Sequence, residues 1–265
     1  MPARPAVLLL QGEAGHTPGR MSERKGREAW PPELTELLRK VDKLRRSGRY
    51  EEALSRMRQL TEAHPRQLRV LLEMGLTLGI WGGSPAEALP WYERALELAP
   101  GHLSTQLHRA LALARLGRHA EAVADFDTLE ALGYHKALVL HMKRAESLEA
   151  LGRHPEAERD WTLALAEDPD NPWLLQQRAT SRARLGRLEE AVGDLSAALA
   201  SHARHGEELD AELLRDRGVL RARLGDGAGA RADLEAGLSA LRAGDPPSLA
   251  EDLRQRLSEL PPRAP

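Results

Sequence analysis

The sequence predicts an all-α chain of about six stacked helix–turn–helix units, and three observations carry that prediction. Glycine returns at a near-constant interval: Gly48, Gly82, Gly117, Gly152, Gly186 and Gly225 lie 34, 35, 35, 34 and 39 residues apart. An alanine follows each in step, as Ala53, Ala88, Ala122, Ala157, Ala191 and Ala230. Apolar residues make up 42% of the chain, mostly Ala and Leu, and aromatics only 3%. That mix favours helix, because Ala and Leu lose little side-chain freedom there. A fixed period of about 34 residues marks an array in which each unit buries its apolar face against its neighbours.

Residues 1–30 stand outside the pattern. Their one apolar run, Ala6 to Leu10, is shorter than the core of a secretory signal, about 7–15 residues. The segment is rich in Gly, Pro, Arg and Glu, so disorder is expected. Met21 is a second candidate start, and Trp30 has no assigned role. No stretch reaches the roughly 20 apolar residues that span a bilayer, and a soluble cytoplasmic protein is expected. The net charge of −2, with 29% charged residues, leaves no basic excess; phosphate neutralisation would need one. Zero cysteines exclude disulfide and thiolate chemistry. Only 5 lysines stand beside 33 arginines, which fits a GC-rich bacterial genome.

The array is expected over residues 31–244, in units 34–67, 68–102, 103–137, 138–171, 172–205 and 211–244. Each opens with a first helix that stops at a Leu-Gly-Arg-like turn, clearest at Leu116-Gly117-Arg118, Leu151-Gly152-Arg153 and Leu185-Gly186-Arg187. Glycine there adopts the left-handed conformation that closes a helix without a Cβ penalty. Arg115, Arg184 and Arg223 place positive charge in the last turn, where it complements the helix dipole. Second helices begin with acids (Glu51, Glu52, Glu121, Glu156, Glu158, Glu189, Glu190), and Ser84-Pro85-Ala86-Glu87 reads as a capping box. Pro65, Pro100 and Pro169 close units, and Asn171-Pro172 opens the fifth as an N-cap with first-turn proline. The third unit has Gly133-Tyr134-His135 in place of its closing proline, and the fifth runs into Ser201–Gly206; longer helices or a changed angle are expected there. Ser248-Leu249-Ala250-Glu251 reads as a further capping box, opening a capping helix to about Leu260 within residues 245–265.

In register, these units resemble tetratricopeptide repeats over residues 34–244. The small residue of the first helix is met by Gly75, Ala110, Ala145, Ala179 and Gly218, with Val41 as the departure. The second-helix alanine is met in all six units. Four places later stands a bulky residue: Met57, Tyr92, Phe126, Trp161, Leu195 or Leu234. A small residue follows as Ala95, Ala164, Ala198 and Gly237, replaced by Leu60 and Leu129 in two units. The resemblance implies a right-handed superhelical solenoid with a C-terminal capping helix, whose first helices line a groove for a peptide or a partner's helix.

Chemistry is poorly supported. Six of the ten histidines fall between His102 and His154, but in no helical ligand pairing with a glutamate. His202 and His205 share a face without a carboxylate partner. Asp125-Phe126-Asp127 resembles a carboxylate pair, but its flanking Ala122 and Phe126 are core places, so both acids are expected to face solvent. Gly225-Asp226-Gly227-Ala228-Gly229 mimics a phosphate loop yet lies between helices and lacks the following Lys-Ser/Thr, so a plain turn is expected. No catalytic residue, metal ligand or cofactor is assigned, and the chain is read as no enzyme.

The groove places that the resemblance implies are Arg69, Glu73, His108, Arg115, Lys143, Glu146, Trp173, Gln176, Gln177, Thr180 and Arg184. The row is mixed in charge, with amides able to bond a peptide backbone whatever its sequence. The carboxylate-clamping subset of the family is disfavoured, because Leu38, Asp42 and Glu73 stand at its Lys and Asn places. Trp173 lines the groove or packs near Trp161; Trp91 and Trp161 read as core, and Trp81 is open. The expected function is a scaffold or adaptor that binds a segment of another protein. A peptide-sensing regulator and, behind it, a helical-repeat RNA binder are the alternatives. Neither nucleic acid nor membrane is the expected partner.

Overall fold

The computed structural model describes residues 32–206 and 208–261. The expectations for residues 1–30, with Met21 and Trp30, lie outside them. The described residues form α-helices and no strand, and the chain divides into two compact units, one reaching to Ala53 and one from Leu54 onward.

In the first unit, α1 (Pro32–Arg46) buries Leu34, Leu38 and Val41, the one-stripe spacing of an amphipathic helix. Lys43, Arg45 and Arg46 occupy its last turn, and Gly48 (φ +74°) reverses the chain. The next helix, α2 (Tyr50–Ala63), begins here with Ala53 wholly buried.

The second unit is an all-α helical-repeat solenoid. After the remainder of α2 come α3 (Leu68–Leu76), α4 (Pro85–Leu98), α5 (Leu103–Arg115), α6 (His119–Ala131) and α7 (Ala137–Ala150). There follow α8 (His154–Glu167), α9 (Pro172–Arg184), α10 (Leu188–Arg204), α11 (Ala211–Arg223), α12 (Gly227–Ser239) and α13 (Pro247–Glu259). Helices pack chiefly on their neighbours in sequence, so helices with odd numbers from α3 to α11 are the first members of successive hairpins. Within each hairpin a small residue admits a bulky one. A Cβ on Gly75 would run into the Tyr92 ring, 2.7 Å from Cδ1, and one on Gly218 would lie 3.1 Å from Leu234 Cγ. Ala110 and Ala145 are fully buried, and Phe126 and Trp161 fill the same core layers. At the C-terminal end α13 buries Leu249 and Leu253 with Ala211 and Leu234, covering an apolar face that a terminal repeat would otherwise expose.

Four local expectations are corrected. The second unit's reversal falls on Gly83 (φ +70°), whereas Gly82 has φ −83°. The cause is a π-helical turn, Thr77–Trp81, continuing α3; its wider hydrogen-bond ring accommodates one extra residue before the turn. Ser84 donates its hydroxyl to Glu87 Oε1 (2.8 Å) and does not cap a backbone amide. Ser248 lies inside α13, whose N-cap is Pro246, so no capping box opens that helix. Finally, Asp125 is buried at 5% exposure, because an arginine reaches it from the facing helix; Asp127 remains exposed.

Other expectations stand. Asn171 accepts from Leu174 N (3.1 Å), α10 is 17 residues long, ending at Arg204 with Gly206 (φ +70°) just beyond it, and Gly225 turns the chain with φ +82°; within that turn the structure adds a cap on α12, Asp226 accepting from Gly229 N (2.8 Å).

Candidate functional site

A repeated ion pair fixes how the hairpins present their first helices. Arg109, Arg144, Arg178 and Arg217 each stand just before the small residue of α5, α7, α9 and α11. Each forks onto an aspartate 16 residues later, just before the bulky residue of the partner helix: Asp125, Asp160, Asp194 and Asp233. All four carboxylates are buried, and two-point guanidinium contact is the strongest and most directional way to hold them. Three of the forks also bridge back one hairpin. Arg144 donates to Asp127 and Glu130, Arg178 to Thr162 Oγ1 and Arg217 to Ser196 Oγ. Around Asp160, burial pushes the carboxyl up, but the bonds from Arg144 and His141 outweigh it and hold the group below the ordinary carboxylate range.

Four of the histidines are held by local contacts. His102 Nδ1 accepts from Thr105 N at the start of α5, His141 meets Asp160 (3.2 Å) and His154 meets Glu149 (2.9 Å). His205 Nδ1 lies 2.8 Å from Ser201 O. Among the described residues no group of three or more His, Asp or Glu is placed to hold a metal.

The groove residues named from sequence meet different fates. Glu73 is buried and paired with Arg69 (2.5 Å). His108 is buried with its ring against Tyr92, centroids 6.1 Å apart. Arg115 reaches back one hairpin and donates to the carbonyl of Gly79 (2.7 Å), inside the π turn. Lys143 pairs with Glu146 (2.8 Å) on its own helix. Trp173 stands edge-on to buried Trp161, centroids 5.5 Å apart, and keeps 36% of its surface exposed; it packs at one edge and remains open at the other. Gln176 donates to Asp216 (3.1 Å), Gln177 is half-buried, and Thr180 and Arg184 are exposed.

Two of these residues, Thr180 and Arg184, share an open cleft of about 560 Å³ among α9, α11 and α13. Ala179, Ala183, Leu195, Val219 and Leu220 supply its aliphatic surface. Its charged lining is Arg184, Arg215, Arg223 and Arg256 against Asp216 and Asp252. Arg215 contacts Asp216 (2.8 Å), Arg256 contacts Asp252 (2.9 Å), and Arg184 pairs with Glu149. The sequence pattern does not place α11 and α13 at this cleft: it marks Arg223 only as last-turn charge and residues 245–265 only as a capping helix. The signal was present, since Arg223 repeats Arg115 and Arg184 at the same place of its unit.

A family model for the tetratricopeptide repeat matches residues 38–102, 82–133 and 107–172, together just over half of the 265 residues. In fold the chain is similar to PilW, a type IV pilus biogenesis factor: 19% identity and TM-score 0.65, covering 86% of this chain and 99% of that one. It is similar also to YrrB, a repeat protein with an unusual peptide-binding site: 17% identity, TM-score 0.62, 75% and 97% covered. A tetratricopeptide repeat protein from Parabacteroides merdae gives 21% identity and TM-score 0.54 over 87% and 86%. At such identities the likeness concerns the fold alone. No curated protein matches the chain in sequence.

Proposed function

The chain belongs to the tetratricopeptide repeat family, and from that premise we propose that it is a non-catalytic adaptor holding a peptide or helical segment of another protein along its first helices. The observation that carries this reading is the open cleft of about 560 Å³, walled by the first helices α9 and α11 and by α13. Its size lies within the roughly 300–1,000 Å³ of ordinary ligand sites. Gln177 and Thr180 lie close in sequence on α9, which forms one wall of the cleft, and offer groups for a peptide backbone. The peptide-binding site of YrrB, similar in fold, fits the same reading. We expect the protein to act in the cytoplasm, and no described helix is long and apolar enough to cross a membrane.

The test is capture of partners from a native lysate by the wild type and by a Lys143→Glu/Gln177→Ala double variant. A protein held by the wild type and lost by at least tenfold in the variant supports the groove. Equal capture by both places the interface on another surface and defeats the reading.

A further inference from the structure

Arg115, Arg184 and Arg223 occupy the same register place in the third, fifth and sixth units, and the first two reach back to the preceding hairpin. Arg115 finds the Gly79 carbonyl, and Arg184 finds Glu149. Glu149 stands one place before that register in its own unit, and it also receives Ser181 and His154. The third arginine, Arg223, has no acid at the corresponding place. Where the fourth unit has Glu149, the fifth has Ala183, and Ala183 lines the cleft together with Arg223. Arg215 and Arg256 already contact Asp216 and Asp252. Four guanidinium groups thus line the cleft with two carboxylates, and of these four Arg223 alone has no carboxylate partner among the described residues. Ala179, Ala183, Leu195, Val219 and Leu220 line the same cleft, so a bound segment has aliphatic surface to cover while its acid meets a guanidinium in a charge-assisted bond.

We propose that this cleft takes an Asp or Glu side chain, flanked by aliphatic residues, from the peptide segment of a partner. The partner's carboxylate occupies the place that Glu149 fills one hairpin earlier, with Arg223 as its principal contact and Arg256 beside it. The proposal rests on the adaptor reading above and names the chemistry of the segment. The alanine floor favours a compact aliphatic flank such as Ala, Val or Leu, and the two resident aspartates repel a run of several acids.

The test pans a random-peptide phage library against the wild type, Arg223→Gln, Ala183→Glu and Ala183→Gln, each checked for its helical circular dichroism. The wild type is expected to enrich peptides with a single acid beside aliphatic residues. Arg223→Gln is expected to lose them at least tenfold, Ala183→Glu to lose them similarly by supplying the acid internally, and Ala183→Gln to lose them less. Rising salt is expected to weaken the binding. Enrichment of peptides without acids, dependent on Gln177 or Lys143 and indifferent to Arg223, overturns this proposal and leaves the adaptor reading in place. Equal loss in Ala183→Glu and Ala183→Gln, with Arg223→Gln unaffected, makes the effect one of bulk and also overturns it. Retention of polyuridylate that Arg223→Gln abolishes, with no acidic peptide enriched, overturns the peptide occupant in favour of nucleic acid. No enrichment by any form overturns both readings.

Discussion

Gly83 turns the chain with φ +70°, while its neighbour Gly82 holds φ −83°, a value open to any residue. The two are indistinguishable in the sequence, and spacing alone assigns the reversal to Gly82. The π turn Thr77–Trp81 moves it by one residue, and Arg115 then fastens onto Gly79 O in that turn. Substitution separates the two positions. Gly83→Ala is expected to cost about 1–2 kcal/mol, the penalty of a left-handed backbone for an L-residue, whereas Gly82→Ala is expected to change little or to stabilise slightly. Chemical denaturation of both variants checks this. Equal losses would mean that the reversal is shared or lies at Gly82.

On each helix pair from α5 to α12 the arginine–aspartate fork joins elements that sequence pattern treats as separate amphipathic faces. Asp125 was expected in solvent because an acid beside a core place reads as polar surface. It is buried because Arg109 and Gln106 supply donors from α5. The register did contain the signal: arginine before the small residue and aspartate before the bulky one recur in four successive units. Reading it requires knowing that those two places meet across the hairpin. The pair at Asp160 also makes a pH prediction. Its carboxyl is held below the ordinary range, so its contribution is present above a pH of about 4 and is lost as pH falls through the lower folded value. Asp160→Asn is expected to cost about 3 kcal/mol at neutral pH, the low end for breaking a buried pair, since Arg144 keeps Asp127 and Glu130. Thermal melts from pH 7 to pH 2 should show the gap between the two proteins closing in acid. A gap independent of pH would remove the charge from the explanation.

Over the solenoid from Leu54 onward, contacts run mainly between helices adjacent in sequence. Stability is then a sum of hairpins and their interfaces, and damage stays near its origin. Leu253 is wholly buried on α13 with Ala211 and Leu234. Leu253→Ala is expected to cost about 2–5 kcal/mol, felt in α11–α13 and fading towards α5 and α6. Amide hydrogen exchange reads this directly: protection should fall in the last three helices alone, and a uniform loss across the solenoid would reveal global cooperativity. The same measurement bears on function, because α13 forms one wall of the cleft and not simply a solvated end cap.

Legible in the amino-acid order alone were the helix–turn–helix repeat, the small-against-bulky contact in each hairpin, most turn glycines and the cap at Asn171. All of these are local: they follow from a few neighbouring residues and a period, and so are written in linear order. Packing in three dimensions sets the rest: Asp125 is buried, Arg115 and Arg184 are engaged by the preceding hairpin, and Arg223 and Arg256 line one cleft with Ala183. Those outcomes depend on side chains some 16 to 73 residues apart sharing one space, and on one extra residue absorbed in a π turn. Hydrophobic periodicity says which face a residue occupies, but a polar side chain's partner on that face is set by how two helices are laid together.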